Sequence, residues 1–243
     1  NLVFERRFTP ISPKPYTKLT PTHYAYLKIS EGCNNWCSFC TIPKIRGEHK
    51  SKSIESIINE ANLQLSMGVK ELILIAEDTT CWGEDIYGKP SLSLLLNELA
   101  KLPIPWIRIM YIFPSRVDDE LIATIKNTPN IINYIDMPIQ HVNTELLDGM
   151  RRRHDKAFLS GIIKDMYTEI PDLSLRSTFI LGFPGETEAH VNELLAFIET
   201  HPFSQIGCFT YSEERETRSA RYDNKVDMDT AHQRVDQVMD HQL

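Results

Sequence analysis

No apolar run in the 243 residues approaches the ~20 that a membrane helix needs, and no signal-peptide pattern opens the chain. The expectation is a cytoplasmic protein with no membrane contact. Low-complexity tracts are absent, and nothing repeats beyond an alternation of strand-like and helix-like stretches. A basic surplus is lacking too: 26 Lys and Arg stand against 33 Asp and Glu, a net charge of −7, which argues against this chain itself gripping nucleic acid. Two local basic stretches, one at Lys44, Arg46, Lys50 and Lys52 and the other at Arg151, Arg152 and Arg153, read equally well as solvated faces. Cysteine is scarce and odd in number, five residues, which excludes a disulfide framework and fits a reducing compartment. An initiator methionine is missing and the last residues read as an unfinished helix, so a piece of a longer protein is expected. What remains, 42% hydrophobic and 24% charged residues, is enough for one α/β domain with a sizeable core or for two small ones.

Three of the five cysteines are bunched in E-G-C-N-N-W-C-S-F-C, residues 31–40. At C-x-x-x-C-x-x-C spacing, one loop can present Cys33, Cys37 and Cys40 to a single metal centre. An iron–sulfur cube needs four ligands to be closed, so three protein sulfurs leave one iron open to a small molecule. The alternative is a zinc site completed by His49, which would make the chain a metal-stabilised binding module without catalysis. Residues 24–30 (Y-A-Y-L-K-I-S) read as a buried strand, so the cysteines follow a strand's carboxyl end, where α/β folds place ligands. Cys208 reads as an inert core residue within a strand, and Cys81 falls in a polar loop that can expose it.

Along the chain, four prolines within residues 1–22 predict an extended linker. Residues 23–228 read as the catalytic core, and 229–243 as a helix leading to a further domain. Helical periodicity predicts a helix over 53–67, with Ser53 as its cap and Gly68 as its stop, and further helices over 91–101, 118–126, 144–167 (broken near the arginines) and 187–200. Strands are predicted over 71–76, 106–111, 131–136, 173–181 and 205–211, the first of these covered on both faces. Six strand–helix repeats demand a parallel sheet, and six rather than eight predict a partly open (β/α)6 barrel of the TIM type.

In such a barrel the carboxyl ends of the strands converge on one mouth. They bring Glu77 and Asp78, residues 136–141 including Gln140 and His141, the turn 182–186 and residues 209–212 together. Glu77 and Asp78 read either as site acids or as loop solvation and a helix cap. Gly182 and Gly185 allow close approach to the backbone by a ligand or by a packing neighbour. Arg176 shares strand parity with Thr178 and Ile180, and an arginine pointing into a barrel must meet an anion, either a bound carboxylate or an internal acid such as Asp136.

Five stretches together, residues 31–47, 77–88, 134–141, 175–188 and 209–214, resemble the methylthiotransferases of the radical S-adenosylmethionine (SAM) superfamily. Within them D-T-T…G-E-D-I-Y-G (residues 78–88) is similar to the type that modifies an aspartate of a small-subunit ribosomal protein, where the transfer-RNA adenosine type carries an asparagine-containing segment. The sequence departs from the family at Glu77, usually Gln, and at residues 214–220, which lack a glycine. The resemblance implies a 4Fe–4S cluster on Cys33, Cys37 and Cys40, SAM on its open iron, and a 5′-deoxyadenosyl radical that takes hydrogen from the β-carbon of the aspartate before a methylthio group is installed. It implies a second 4Fe–4S cluster in an N-terminal domain that this sequence does not contain. An electron donor such as flavodoxin or ferredoxin is implied as well, with nucleic acid met only indirectly, through the ribosome. For SAM it implies contacts from Phe39, Ile180 and Gly182 to the adenine, Glu77 or Asp78 near the amino group, and Gln140 and Arg176 toward ribose and carboxylate.

Overall fold

The computed structural model describes residues 21–242. The linker expected over 1–22 therefore lies, but for its last two residues, outside the described residues. Strands β1 (Tyr24–Lys28), β4 (Glu71–Ile75), β5 (Trp106–Ile109), β6 (Ile131–Asp136), β7 (Ser174–Leu181) and β8 (Gln205–Thr210) form one parallel sheet in that order. Each strand is joined to the next by a crossover containing at least one helix, so all six carboxyl ends point one way. β1 and β8 stand at the two ends of the order, which leaves the (β/α)6 barrel partly open, as expected.

Two short elements have no counterpart in the sequence reading. β2 (Ser30–Glu31) and β3 (Lys50–Ser51) form a two-residue antiparallel ribbon, and Ile42–Arg46 is a single helical turn. Both are too short for periodicity to register. The longer helices follow local chemistry. Ser53 caps Ile54–Ser66 by accepting from the Ser56 N–H at 3.2 Å, and Asp118 caps Asp119–Asn127 through the Leu121 N–H at 2.8 Å. The predicted long helix is indeed broken at the arginines, into Thr144–Gly149 and Lys156–Glu169.

Burial alternates along β1 and β4, which corrects the reading of β4 as a strand covered on both faces. Leu27, Leu72, Leu74, Ile107, Leu175, Phe179 and Leu181 point toward the helices and are fully buried, while Tyr26 is half-exposed and Ile73 and Ile75 are partly open. β8 does not pair back to β1, so the sheet stays open and its inner face lines a cleft. The terminal helix Met228–Gln242 packs against β7 and β8. No helix among the described residues is long and apolar enough to cross a membrane.

Candidate active site

The cysteine loop leaves β2 through Gly32, whose backbone is left-handed (φ 75°) and so close to the next segment that a Cβ would sit 2.2 Å from the Glu48 carbonyl oxygen. Only glycine fits there. Distant parts of the chain fasten the loop: Ser38 donates its N–H to the Met150 carbonyl (3.0 Å) and its hydroxyl to that of Gly149 (2.7 Å), and the Ser219 N–H donates to the Ser38 carbonyl (2.9 Å). Cys33, Cys37 and Cys40 are all unpaired and half-buried. Burial pushes the Cys33 thiol up to about 11, Asp78 and the other two sulfurs adding to it against the Asn35 N–H, and burial raises Cys40 as well. Metal binding at these sulfurs would displace their protons.

This donor set fits a cube better than a single ion. Among the described residues no three His, Cys, Asp or Glu side chains gather as ligands of one metal ion. His49, the fourth ligand of the zinc alternative, is buried with its Nε2 3.1 Å from the Ser51 hydroxyl and 3.8 Å from Asp85.

Asp78 is the knot behind the loop. Its carboxylate accepts from Asn35 Nδ2 (2.7 Å), Arg116 (2.8 Å), the Thr80 N–H (3.0 Å), the Thr80 hydroxyl and the Cys81 thiol (3.2 Å). Arg116 also donates to Asn35 Oδ1 at 2.8 Å, so one buried ion pair grips the residue midway between Cys33 and Cys37. Cys81, in a loop that can expose it, is instead buried: the 3-10 turn Thr79–Cys81 that Asp78 caps folds it inward, and burial and Asp78 drive its thiol pKa far upward.

Beside the loop lies a cavity of about 560 Å³ at the carboxyl ends of the strands. Phe39, Glu77, Asp78, Gln140, Arg176 and Ile180 all line it, as do all four residues 209–212 of the β8 end. Glu77 lies 3.8 Å from Lys28. Gln140 (φ 79°) and Tyr111 (φ 59°) have left-handed backbones without being glycine, a strain that concentrates where a wall must be shaped. Arg176 meets its anion inside the protein: its guanidinium is 2.7 Å from Asp136, whose other oxygen accepts from the Tyr111 N–H at 3.2 Å.

Gly182 is the exception, for it does not line the cavity. Its Cβ would lie 2.5 Å from that of Ala231, so the close approach comes from the terminal helix. The turn that follows is tied to that helix too, because the buried Glu186 accepts from the Gly182 N–H (2.8 Å) and pairs with Arg234 (2.9 Å). His141 is sealed in, its Nδ1 accepting from the Val142 and Asn143 N–H groups, and burial lowers its pKa to about 3. That leaves it a structural acceptor. Cys208 is half-buried rather than fully within the core. Sequence reasoning overlooked Arg152, which lines the cavity and lies 3.6 Å from the Cys37 sulfur. A run of three arginines gives no sign of which one turns inward.

Known proteins resemble this chain over most of its described length. The Radical SAM superfamily profile matches residues 27–198. Ribosomal protein uS12 methylthiotransferase RimO of Clostridium novyi is 48% identical over 221 residues, covering 90% of this chain and 50% of that protein. RimO of Prochlorococcus marinus (strain MIT 9312) is 46% identical over 215 residues, covering 88% and 47%. The chain thus spans about half the length of the curated relatives it matches. Among solved structures, the radical SAM methyltransferase TsrM from Kitasatospora setae, with cobalamin and a [4Fe-4S] cluster bound, superposes with a TM-score of 0.65 at 15% identity over 77% of this chain and 36% of that one. At that identity the likeness is one of fold.

Proposed function

This chain belongs to the radical SAM superfamily, and on that footing we propose that it is the catalytic core of a methylthiotransferase acting on a small-subunit ribosomal protein. One observation carries the reading: three unpaired cysteines on one loop border a cavity of about 560 Å³ lined by Phe39, Glu77, Gln140, Arg176 and Ile180, which cofactor binding would use. The substrate assignment draws on the relatives named uS12 methylthiotransferases and on the segment 78–88. Cys33, Cys37 and Cys40 would hold a 4Fe–4S cluster, which together with SAM would supply one-electron radical chemistry at this site.

The chain's own residues do the rest. Phe39 and Ile180 offer apolar faces to the adenine. Glu77 faces the amino group, and Gln140 and Arg176 the ribose and carboxylate. Asp78 leaves the list of contacts, because its oxygens are already committed to Asn35, Arg116, Thr80 and Cys81; it holds the loop in shape instead. The walls exclude water and confine the radical until the β-carbon of an aspartate is presented. The sulfur would come from a second cluster on an N-terminal domain, as the resemblance to the methylthiotransferases implies. The electron would come from a flavodoxin or ferredoxin in the cytoplasm.

Anaerobic reconstitution followed by dithionite and SAM should yield deoxyadenosine, and the full-length protein should modify the ribosomal protein and leave transfer RNA untouched. Zinc without iron or sulfide in the purified chain would overturn the reading.

A further inference from the structure

Arg151, Arg152 and Arg153 follow the helix Thr144–Gly149, and only the middle one is buried. Arg151 is left-handed (φ 59°), which reverses the chain, and the Arg152 N–H closes the helix end on the Leu147 carbonyl at 2.8 Å. The Arg152 side chain consequently runs inward, 6% exposed. One terminal nitrogen donates to the Pro138 carbonyl at 2.6 Å, the other lies 3.6 Å from the Cys37 sulfur, and the guanidinium carbon stands 4.0 Å from the centre of the Phe113 ring. Its Nε is buried without a hydrogen-bond partner. Among the described residues no carboxylate lies within ion-pair distance of it, whereas the arginines at 108, 116, 176 and 234 each have one.

A buried guanidinium without a counter-charge is costly, and arginine cannot shed its proton to escape the cost. Among the atoms its nitrogens contact, the sulfur of Cys37 is the one able to carry negative charge, a ligand in the reading above, on which this inference rests. We propose that Arg152 is a positioning residue for that ligand, holding the Cys37 sulfur by an N–H···S bond and making the cluster easier to reduce. Reduction adds one electron from a low-potential one-electron donor, breaks no bond and raises the negative charge of the cluster with its thiolates by one. A fixed positive charge at a ligand sulfur favours that reduced state, as hydrogen bonds to cluster sulfurs do in general. Phe113 and Pro138 hold the guanidinium in place, so its position does not depend on a bound substrate.

The test compares the wild-type chain with Arg152→Gln and Arg152→Lys after anaerobic reconstitution. Iron and sulfide content, circular dichroism, and the cluster midpoint from a dithionite titration followed by electron paramagnetic resonance would be measured. Arg152→Gln should keep its fold and shift the midpoint to more negative potential, with Arg152→Lys between it and wild type. Iron lost from a folded Gln variant and regained in the Lys variant would equally support the role. An unchanged midpoint in a fully loaded Gln variant would overturn the proposal. So would a Gln variant that unfolds while the Lys variant folds with a wild-type midpoint, because the arginine would then be only structural. Wild-type chain that takes up no iron would instead sink the cluster reading itself.

Discussion

The two faces of the six-stranded sheet are made from alternate residues of the same strands, yet they differ in almost every property. Phe179 and Ile180 are chain neighbours on β7. The first is fully buried beneath the helices with Leu175 and Leu181, and the second lines the cavity with Arg176 and Thr178. The outer face is a largely apolar layer held by packing, with Ser177 of β7 donating to the Met137 carbonyl at 2.9 Å as its polar exception. The inner face carries charges, each held by a partner: Glu71 with Arg108, Asp136 with Arg176. A period of two thus separates what keeps the barrel folded from what it does, and the two can be damaged independently.

Cys37→Ala should break the comparison most sharply, abolishing cluster absorbance and SAM cleavage together while leaving the thermal unfolding of the apoprotein near wild type. Activity surviving that change would remove the cluster from the account. The neighbouring pair on β7 comes next. Phe179→Ala should cost about 3–5 kcal/mol in urea unfolding, the usual penalty for emptying a sealed aromatic site. Ile180→Ala should cost much less stability and weaken SAM binding about tenfold, roughly 1.4 kcal/mol of lost apolar contact. Equal stability losses at the two positions would mean that the faces are not separate.

A smaller effect tests what happens when a titratable group is buried with no partner at all. His154 sits between Phe113 and Phe158 with both ring nitrogens unsatisfied, and burial together with Arg152 lowers its pKa to about 4. The unfolded chain, with an ordinary histidine near 6.5, then binds the extra proton between those values. The stability His154 allows at neutral pH should therefore drain away as pH falls from about 6.5 toward 4. Between pH 7 and 5 the loss is on the order of 2 kcal/mol. Comparing the urea midpoint of wild type and His154→Leu at the two pH values checks this; an unchanged pH dependence would show that the imidazole takes up its proton equally in the folded and unfolded chain.

The fold was readable because alternation and periodicity are local. All six strands and the break at the arginines follow from spacing alone, and so does the shared face of Arg176, Thr178 and Ile180. The cysteine triplet declared itself for the same reason. What could not be read depends on which distant atoms arrive. Gly182 offered room, and only the packed helix shows that Ala231 takes it. Asp78 looked like a site acid until Asn35 and Arg116 occupied its oxygens. Cys81 and Arg152 were turned inward by a 3-10 turn and a left-handed residue, both below the length at which a pattern forms.

The staples on the cysteine loop also bear on biogenesis. Met150, Gly149 and Ser219 hold Ser38 from more than a hundred residues downstream. A nascent chain still short of position 219 carries the three thiols without the clamp that shapes them. Iron delivery should therefore be productive only late in synthesis or after release, and stalled chains ending before and after that position, probed for iron retention, would date the step.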